Sequence, residues 1–180
     1  MTVFAAISPA DRDSNPVPSW LGIVTHLHIC PRAFSPMQEV AQANLVANKG
    51  IVGDRYMIGN DLGFHSHKRE DGRQLTLFAI EALEAIKRDF GIDFAPHEHR
   101  RNVTVRGVPL NQLVGHTFWL GSTLVQVTRL STPCRHIEKV TDKPVFSAMV
   151  NRAGLHCRVL NSGTLRVGDP AFPDNEGRLD

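Results

Sequence analysis

The sequence predicts a mainly β fold of the α+β class, in which short strands form a β-rich barrel and a few helices cap it. Three observations lead to this fold class: short segments alternate between apolar and polar residues, turn residues separate them, and one segment has helical periodicity. The chain has 180 residues, of which 42% are hydrophobic. A chain of this length corresponds to about one domain. Such a domain buries roughly two thirds of the surface that its unfolded chain exposes, so it needs no disulfides to fold.

The predicted elements begin near Trp20. Residues 21–29 alternate and predict a first strand, which Pro31 ends. The apolar positions expected on the buried face of this strand are Leu21, Ile23, Leu27 and Ile29. Residues 36–48 fit neither the strand period nor the helix period, so we interpret them as extended chain that leads into a turn at residues 49–50.

The clearest helical pattern follows a strand in the middle of the chain. Residues 75–78 predict the strand. From Ile80 to Phe90 apolar residues recur at helical spacing, and charged residues lie between them. Gly91 is expected to end this helix, because glycine readily adopts the left-handed conformation found after helix C-termini.

The rest of the chain has short alternating segments that are typical of strands. These segments are residues 102–106, 117–120, 123–130, 155–160 and 164–167. The turn residues at 121–122 and 161–163 each predict a hairpin between the strands beside them, and residues 168–170 are expected to end the last strand. Between strands, residues 142–144 predict the start of a second helix, which Gly154 ends. Its inward positions are expected to be Val145, Phe146, Met149 and Val150.

Charge and composition exclude several classes of protein. The chain carries 20 basic and 18 acidic side chains, a net charge of +2 that excludes a strongly basic nucleic-acid-binding protein. No apolar run approaches the ~20 residues of a membrane-spanning helix, and residues 1–10 lack the pattern of a signal peptide. Cys30, Cys134 and Cys157 are an odd number without a CxxC pair. A reduced, cytoplasmic setting is therefore predicted, without membrane or nucleic-acid partners.

The ends of the chain differ from its middle. Residues 1–19 are polar and interrupted by prolines, and they predict a disordered or loosely attached N-terminal segment. Residues 174–180 predict a polar tail. The folded domain is therefore expected to span residues 20–173.

The segment most suggestive of chemistry is residues 131–136, which follow a predicted strand. Here Cys134 precedes Arg135 and His136, and nearby cations make a thiolate a better nucleophile and metal ligand. Loops after strands often face a cleft. The alternative is that Cys134 is a small buried apolar residue, which is the role favoured for Cys30 and Cys157 inside their strand patterns.

Two further segments could bind ligands. Arg100 and Arg101 precede Asn102 at the start of a strand, where guanidinium groups suit phosphate or carboxylate and an amide suits a heterocycle edge. The alternative is an exposed charge pair. Residues 50–56 contain two glycines before Asp54-Arg55, but they match neither the GxGxxG nor the P-loop pattern. An ordinary turn is the alternative for that segment.

The nine histidines allow a third hypothesis, a zinc site. The candidate ligands are His65, His67, His97 and His99. Neither close pair has the HExxH spacing of a helical zinc site, and both lie among charged residues. Solvated histidines are the alternative, and this hypothesis ranks last.

Taken together, these segments resemble the MOSC domain, the family named for the C-terminal part of molybdenum-cofactor sulfurase. The resemblance covers about residues 21–170, and small stand-alone members of bacterial type resemble the chain best. The matching segments are, in order, residues 50–56, 73–78 with Glu81, 100–103, 110–115, Gly121, 132–134, Gly163 and 167–169. The Pro-Cys pair after a strand, Pro133-Cys134, is the most diagnostic of them.

The resemblance implies a MOSC-type β-barrel with a pocket for a molybdopterin-type cofactor. It implies that Cys134 is the thiolate ligand of molybdenum, a soft ligand suited to a transition metal, or else the carrier of a sulfur atom. The cofactor-binding residues that the resemblance implies are Arg55, Arg73, Arg100, Arg101, Asn102, Thr132 and Pro133.

Two functions follow from the resemblance, and the sequence leaves open whether the protein is an enzyme. The first is an oxidoreductase that reduces a small N-hydroxylated compound with electrons from a partner reductase. The second is a non-enzymatic domain that carries sulfur as a persulfide on Cys134, received from a cysteine desulfurase, or that delivers the cofactor.

Overall fold

The computed structural model describes residues 19–59 and 73–174. The strands are β1 (Gly22–Ile29), β2 (Gln38–Glu39), β3 (Gln42–Val46), β4 (Gly50–Ile51), β5 (Leu75–Ala79), β6 (Val103–Arg106), β7 (Thr117–Leu120), β8 (Thr123–Leu130), β9 (Leu155–Val159), β10 (Gly163–Arg166) and β11 (Pro170–Pro173). The α-helices are α1 (Arg55–Ile58), α2 (Ile80–Phe90) and α3 (His136–Thr141), and single 3₁₀ turns lie at Leu110–Leu113 and Ser147–Met149.

The fold is a closed barrel of seven strands, which confirms the predicted mainly β barrel with a few helices. The strand order is β11-β7-β8-β9-β5-β6-β1, and pairing of β1 with β11 closes it. Neighbouring strands are antiparallel except β5 and β6, which are parallel. Helix α2 lies between these two in the chain, as a parallel connection requires. A smaller sheet of order β10-β3-β4 completes the described fold.

The apolar side chains form two clusters. The larger cluster fills the barrel and extends to the small sheet through Leu45, Ile51 and Leu165. The smaller lies where Phe78 of β5 and Ile86 of α2 pack with residues that follow α3. Helix α2 buries one face, as its periodicity predicts. It ends at Gly91, whose φ is 67° and whose N–H donates to the carbonyl of Lys87.

The prediction for the buried face of β1 is wrong at its start. Leu21 and Ile23 are 75% and 43% exposed, whereas Val24 and Leu27 lie in the barrel core. The register shifts between Val24 and His26, where the strand pairs with β6. Such a bulge changes which residues face inward, so one alternating pattern cannot describe the whole strand.

The predicted helix over residues 142–154 is also wrong. The helix in this region is α3, which ends before Asp142, a residue with a left-handed φ of 55°. The carboxylate of Glu138 in α3 accepts the N–H of Phe146 at 2.9 Å and turns the chain back. Val145 and Met149 are buried as predicted, but they lie around a 3₁₀ turn, and Val150 is 47% exposed.

Two predictions for the last strands are wrong as well. The turn at residues 161–163 does not form a hairpin, because β9 pairs with β8 and β5 while β10 pairs with β3. The predicted strand does end before Gly168, but it is not the last strand, because β11 begins at Pro170 and closes the barrel. Prolines at both ends of β11 obscure its pattern in the sequence.

Other parts of the predicted organisation are confirmed or lie outside the description. The hairpin at residues 121–122 joins the antiparallel strands β7 and β8. The predicted boundaries of the folded domain stay a prediction, and residues 1–18, 60–72 and 175–180 lie outside the described residues. None of the described helices has the length and apolar character needed to cross a membrane.

Gly154 connects the barrel to the loop that carries Cys134. Its φ is 91°, its carbonyl accepts the N–H of Ser131, and an added Cβ would overlap the carbonyl oxygen of Leu77. We expect Gly154→Ala to cost at least about 3 kcal/mol, because overpacking adds to the left-handed strain. Gly115→Ala has the same strain with open space around it, and we expect it to cost about 1 to 2 kcal/mol. Urea unfolding of both variants tests this, and equal losses would contradict it.

Candidate functional site

The candidate site is a cavity of about 430 Å³, which we call the arginine cavity. Five guanidinium groups line it, those of Arg55, Arg73, Arg100, Arg101 and Arg129. The other lining residues are Tyr56, Thr132, Pro133, Cys134, His136, Ile137, Met149 and His156. No carboxylate is among these lining residues, so the cavity concentrates positive charge and suits an anion.

Cys134 lies on the loop between β8 and α3 and is exposed. The carbonyl of Cys134 accepts the N–H of Ile137, so the loop turns directly into α3. At the start of the loop, the N–H of Ser131 donates to the carbonyl of Gly154 at 2.8 Å. Hydrogen bonds therefore fix both ends of the loop, and Cys134 lines the cavity. This is the cysteine for which the sequence analysis predicted a function.

Arg100 and Arg101 reach the cavity from the turn before β6. Arg100 has a left-handed φ of 59°. Its Nη2 donates to the carbonyl of Ser35 at 3.0 Å and lies 3.4 Å from Sγ of Cys30. Nε of Arg101 donates to the carbonyl of Ala153 at 3.2 Å. Non-glycine residues in this backbone region cluster at functional sites, and here the strain places two adjacent arginines at one cavity.

The charges around Arg101 act on one another. Burial lowers the pKa of Arg101, because the protein removes water from its guanidinium group. The positive charges of Arg55 and Arg129 lower it further, while Tyr56 and Cys134 act in the opposite direction. An anion in the cavity would offset this repulsion between the arginines, whose guanidinium groups suit a phosphate or a carboxylate.

Arg55 enters the cavity from the first residue of α1. Its Nη2 donates to the hydroxyl of Tyr56 at 2.9 Å, and its guanidinium group lies 4.5 Å from the centre of that ring. The carboxylate of Asp54 caps α1 by accepting the N–H of Tyr56 at 3.1 Å. The glycine-rich segment that precedes Arg55 in the sequence therefore consists of strand β4 and a turn, and it leads into a cavity residue.

Asn102 lies behind the cavity and is not one of its lining residues. It is 4% exposed, and its Oδ1 accepts the N–H and the hydroxyl of Thr76. Its Nδ2 donates to the carbonyl of His28 at 3.2 Å and to Oδ2 of Asp54 at 3.0 Å. The same Oδ2 accepts the N–H of Cys30 at 3.0 Å. Asn102 thus joins β1, β5 and the start of β6 to the start of α1, and its predicted contact with a cofactor stays a prediction.

The arginine cavity is lined by seven of the eight site residues that the sequence analysis predicted, and by other residues that it did not predict. Arg129 and His136 flank the Cys134 loop, so their proximity in sequence was a usable signal. His156 and Met149 are far from Cys134 in the sequence, so local sequence could not predict that they line the cavity. The pairing of β9 with β8 brings His156 there, and the turn after α3 brings Met149 there. Local sequence cannot specify which strands become neighbours.

Comparison with known proteins decides the family. The family model described as the MOSC domain matches residues 64–171. The chain belongs to the MOSC domain family. No curated protein sequence matches it.

Solved structures have the same fold as this MOSC domain. YuaD from Bacillus subtilis superposes with a TM-score of 0.69 at 19% identity, covering 86% of this chain and 99% of YuaD. YiiM from Geobacillus stearothermophilus gives 0.64 at 15% identity, covering 85% and 75%. YiiM from Escherichia coli gives 0.61 at 17% identity, covering 91% and 72%. At these identities the likeness establishes the fold alone.

In this MOSC domain, His99 of the zinc hypothesis is part of the core. Its Nδ1 accepts the N–H of Arg101 at 3.0 Å, and its Nε2 lies 2.9 Å from the hydroxyl of Thr104. The ring stacks on Phe78 with centres 4.4 Å apart. Both nitrogens of His99 are therefore used within the fold. No cluster of three or more potential metal ligands occurs in the described ranges, and the candidate ligands at residues 65 and 67 lie outside them.

His99 also makes stability depend on pH. Burial lowers the pKa of His99 well below 6.5, and the charge of Arg101 lowers it further. Below pH 6.5 the unfolded chain therefore takes up a proton that the folded chain does not. We expect the free energy of unfolding to fall by about 1.4 kcal/mol per pH unit for this proton as the pH drops from 6.5 toward the folded pKa.

Urea unfolding between pH 7 and pH 5 measures this slope. His99→Gln removes the proton and is expected to reduce the slope. His97→Gln is the matched control, since His97 is exposed, and it should leave the slope unchanged. An unchanged slope in His99→Gln would show that other groups cause the acid sensitivity.

Proposed function

We propose that the arginine cavity binds a molybdopterin-type cofactor and that this MOSC domain is an oxidoreductase for N-hydroxylated compounds. The observation that carries the proposal is the donor set: an exposed thiol, that of Cys134, beside five arginines without a carboxylate among the lining residues. Thiolate is a soft ligand suited to molybdenum, and guanidinium groups suit a pterin phosphate. The chemical character of the donors therefore fits this cofactor.

Each residue has a defined part in the proposal. Cys134 would ligate the metal. Arg55, Arg73, Arg100 and Arg101 would hold the phosphate and the pterin edge, and Thr132 with Pro133 would face the cofactor from the loop. The chemistry that such a cofactor supplies when bound is a two-electron reduction, which converts an N–OH group and two protons into N–H and water. A partner reductase would supply the electrons.

Metal analysis of the purified protein tests the binding proposal. We expect the untagged chain, made in a host that synthesises molybdenum cofactor, to carry near-stoichiometric molybdenum and pterin. Cys134→Ala is expected to lose the molybdenum. Cys157→Ala is the matched control: burial raises the pKa of Cys157, so its thiol stays protonated in the barrel core and is no metal ligand. Absence of molybdenum from the parent protein and both variants would contradict cofactor binding.

The exposure of Cys134 on a loop favours one second candidate, a sulfur carrier. In that function, the thiolate of Cys134 attacks the outer sulfur of a desulfurase persulfide. An S–S bond forms on Cys134 as the S–S bond of the donor breaks, and the donor leaves as a thiolate. Mass spectrometry after incubation with a cysteine desulfurase and cysteine would then find one added sulfur atom at Cys134. Its absence would contradict the carrier function.

A further inference from the structure

Large apolar side chains form a row on the outer surface of the barrel, which we call the outer row. The row runs from the end of β9 across β8, β7 and β11 to the start of β1, and its members are, in order, Leu160, Leu124, Trp119, Phe172 and Leu21. Trp119 is opposite Leu124 on one neighbouring strand and opposite Phe172 on the other. The N–H of Leu160 donates to the carbonyl of Leu124 at 2.9 Å. The row therefore crosses strands that are direct neighbours.

The last member of the row lies where the chain enters the barrel. Gly22 at the start of β1 is opposite Ala171 of β11. Because this pair is antiparallel, the continued register places Leu21 opposite Phe172. Leu21 is 75% exposed. The outer row thus ends at the first residues of the folded barrel.

The row faces away from the barrel core. Phe118 and Leu120, on either side of Trp119, are fully buried, and the same alternation runs along β8. Successive side chains of a strand point to opposite faces, so Trp119 and its neighbours in the row point outward. Outward positions of antiparallel strands are usually polar when water covers them. An apolar row at these positions indicates a surface that another group covers.

The centre of the row is aromatic. The rings of Trp119 and Phe172 stack with centres 6.5 Å apart and planes 17° from parallel. Large aromatic side chains are enriched in contact surfaces. Helix α2 packs against β5 and β6 and α1 lies against β4, whereas β7 and β11 contact mainly their neighbouring strands. The helices that pack on the described strands are therefore placed elsewhere.

The size of the row indicates what kind of group fits it. Five strands about 4.8 Å apart give a length of about 19 Å, and one side chain per strand gives a width of about 7 Å. The area is on the order of 150 Å², far below the roughly 800 Å² per partner of a stable protein interface. The length equals about six residues of extended chain at ~3.3 Å each. The row therefore suits a short apolar segment better than a second copy of the chain.

The chain contains such a segment close to the row in sequence. Six of the residues 1–7 are apolar, Thr2 is the exception, and none is charged. Residues 8–18 connect this segment to the fold beside Leu21. These eleven residues span at most about 36 Å, which exceeds the length of the row. A connection of this length gives an effective concentration on the order of mM, which favours a segment of the same chain over a separate molecule.

We propose that residues 1–7 dock on the outer row, with Phe4 and its apolar neighbours packed against Trp119 and Phe172. The barrel is closed at β7 and β11, so this contact is made by side chains and not by an added strand. The sequence predicts a disordered or loosely attached segment over residues 1–19, and the outer row gives its first residues a place to attach. The proposal does not depend on the cofactor or on the reductase function.

Fluorine NMR of the full chain labelled with 5-fluorotryptophan tests this docking. The chain has two tryptophans, and Trp119→Phe assigns their signals. The change in fluorine shift between H₂O and D₂O measures the exposure of each ring. We expect Phe4→Asp to increase this change at least about twofold for Trp119, because a carboxylate does not pack on an apolar surface. The signal of Trp20, whose ring packs edge to face on buried Phe118, should stay unchanged.

Val17→Asp is the matched control, because it introduces the same charge before the barrel but outside residues 1–7. Neither substitution replaces a described residue, so we expect both variants to keep the thermal midpoint of the parent. An increase for Trp119 in Phe4→Asp alone supports docking. No increase in Phe4→Asp, or an equal increase in both variants, overturns it. Exposure of Trp119 that rises when the parent is diluted would show that a second copy covers the row, and it would also overturn the proposal.

Discussion

For the reductase proposed above, replacement of Cys134 by serine is expected to reduce the rate of reduction of an N-hydroxylated compound such as hydroxylaminopurine by at least about a thousandfold, because the proposed metal ligand is lost. Serine keeps the size of the side chain and supplies only a hydroxyl, which is a poor ligand for a soft metal site. The side chain at position 134 is exposed, so the fold does not depend on it. The thermal midpoint of unfolding should therefore stay within a few degrees of that of the parent.

The assay uses the cofactor-loaded protein with a low-potential dye as the electron donor, because a partner reductase is not needed to test whether Cys134 ligates the metal. Cys157→Ser is the control for loss of a thiol, with stability checked separately because Cys157 is fully buried. Equal reduction by the parent and by Cys134→Ser would exclude metal ligation by this residue. Added sulfur on the parent in the desulfurase experiment, without any reductase activity, would favour the carrier function instead.

The sequence predicted the barrel because alternation and turn residues are local properties. The strand over Gly22–Ile29, helix α2 and its end at Gly91 all follow from patterns within about ten residues. The pairing of one strand with another does not follow from such local patterns. Strand β10 pairs with β3, which lies more than a hundred residues earlier in the chain. Strand β11 closes the barrel, but the prolines at its ends prevented its prediction as a strand. Tertiary context decides these pairings.

The residues of the candidate site also divide into those that local sequence could predict and those that long-range contacts place. The Cys134 loop and the pair Arg100-Arg101 could be found because each carries its chemistry in adjacent residues. Asn102 was predicted to bind the cofactor because an amide suits a heterocycle edge and because the family resemblance implies it, and this role stays a prediction. Its position behind the cavity follows from contacts with Asp54 and Thr76, which lie 48 and 26 residues away in the chain. No local pattern predicts such contacts.

The contact between Asn102 and Asp54 has a large expected consequence. Asn102→Asp keeps the shape of the side chain and replaces its donating amide with a carboxylate, 3.0 Å from Oδ2 of Asp54. Both positions are buried, with exposures of 4% and 3%. We expect a loss of at least about 3 kcal/mol near pH 8, because two buried carboxylates repel each other and the carbonyl of His28 loses its donor.

The direction of the pH dependence identifies the cause of this loss. Repulsion raises the pKa of the new carboxyl group in the folded state, so the folded protein binds a proton that the unfolded chain has released above about pH 3.9. Stability of Asn102→Asp should therefore rise as the pH falls from 8 toward 5, opposite to the effect of His99.

Two control variants separate repulsion from loss of hydrogen bonds. Adding Asp54→Asn removes the repulsion and should abolish this rise relative to the parent. Asn161→Asp is the matched control: it breaks an exposed hydrogen bond to the carbonyl of Ser122, and it should cost about 1 kcal/mol or less without the pH dependence. If the loss in Asn102→Asp were independent of pH, the two broken hydrogen bonds would explain it without repulsion between the side chains at positions 54 and 102.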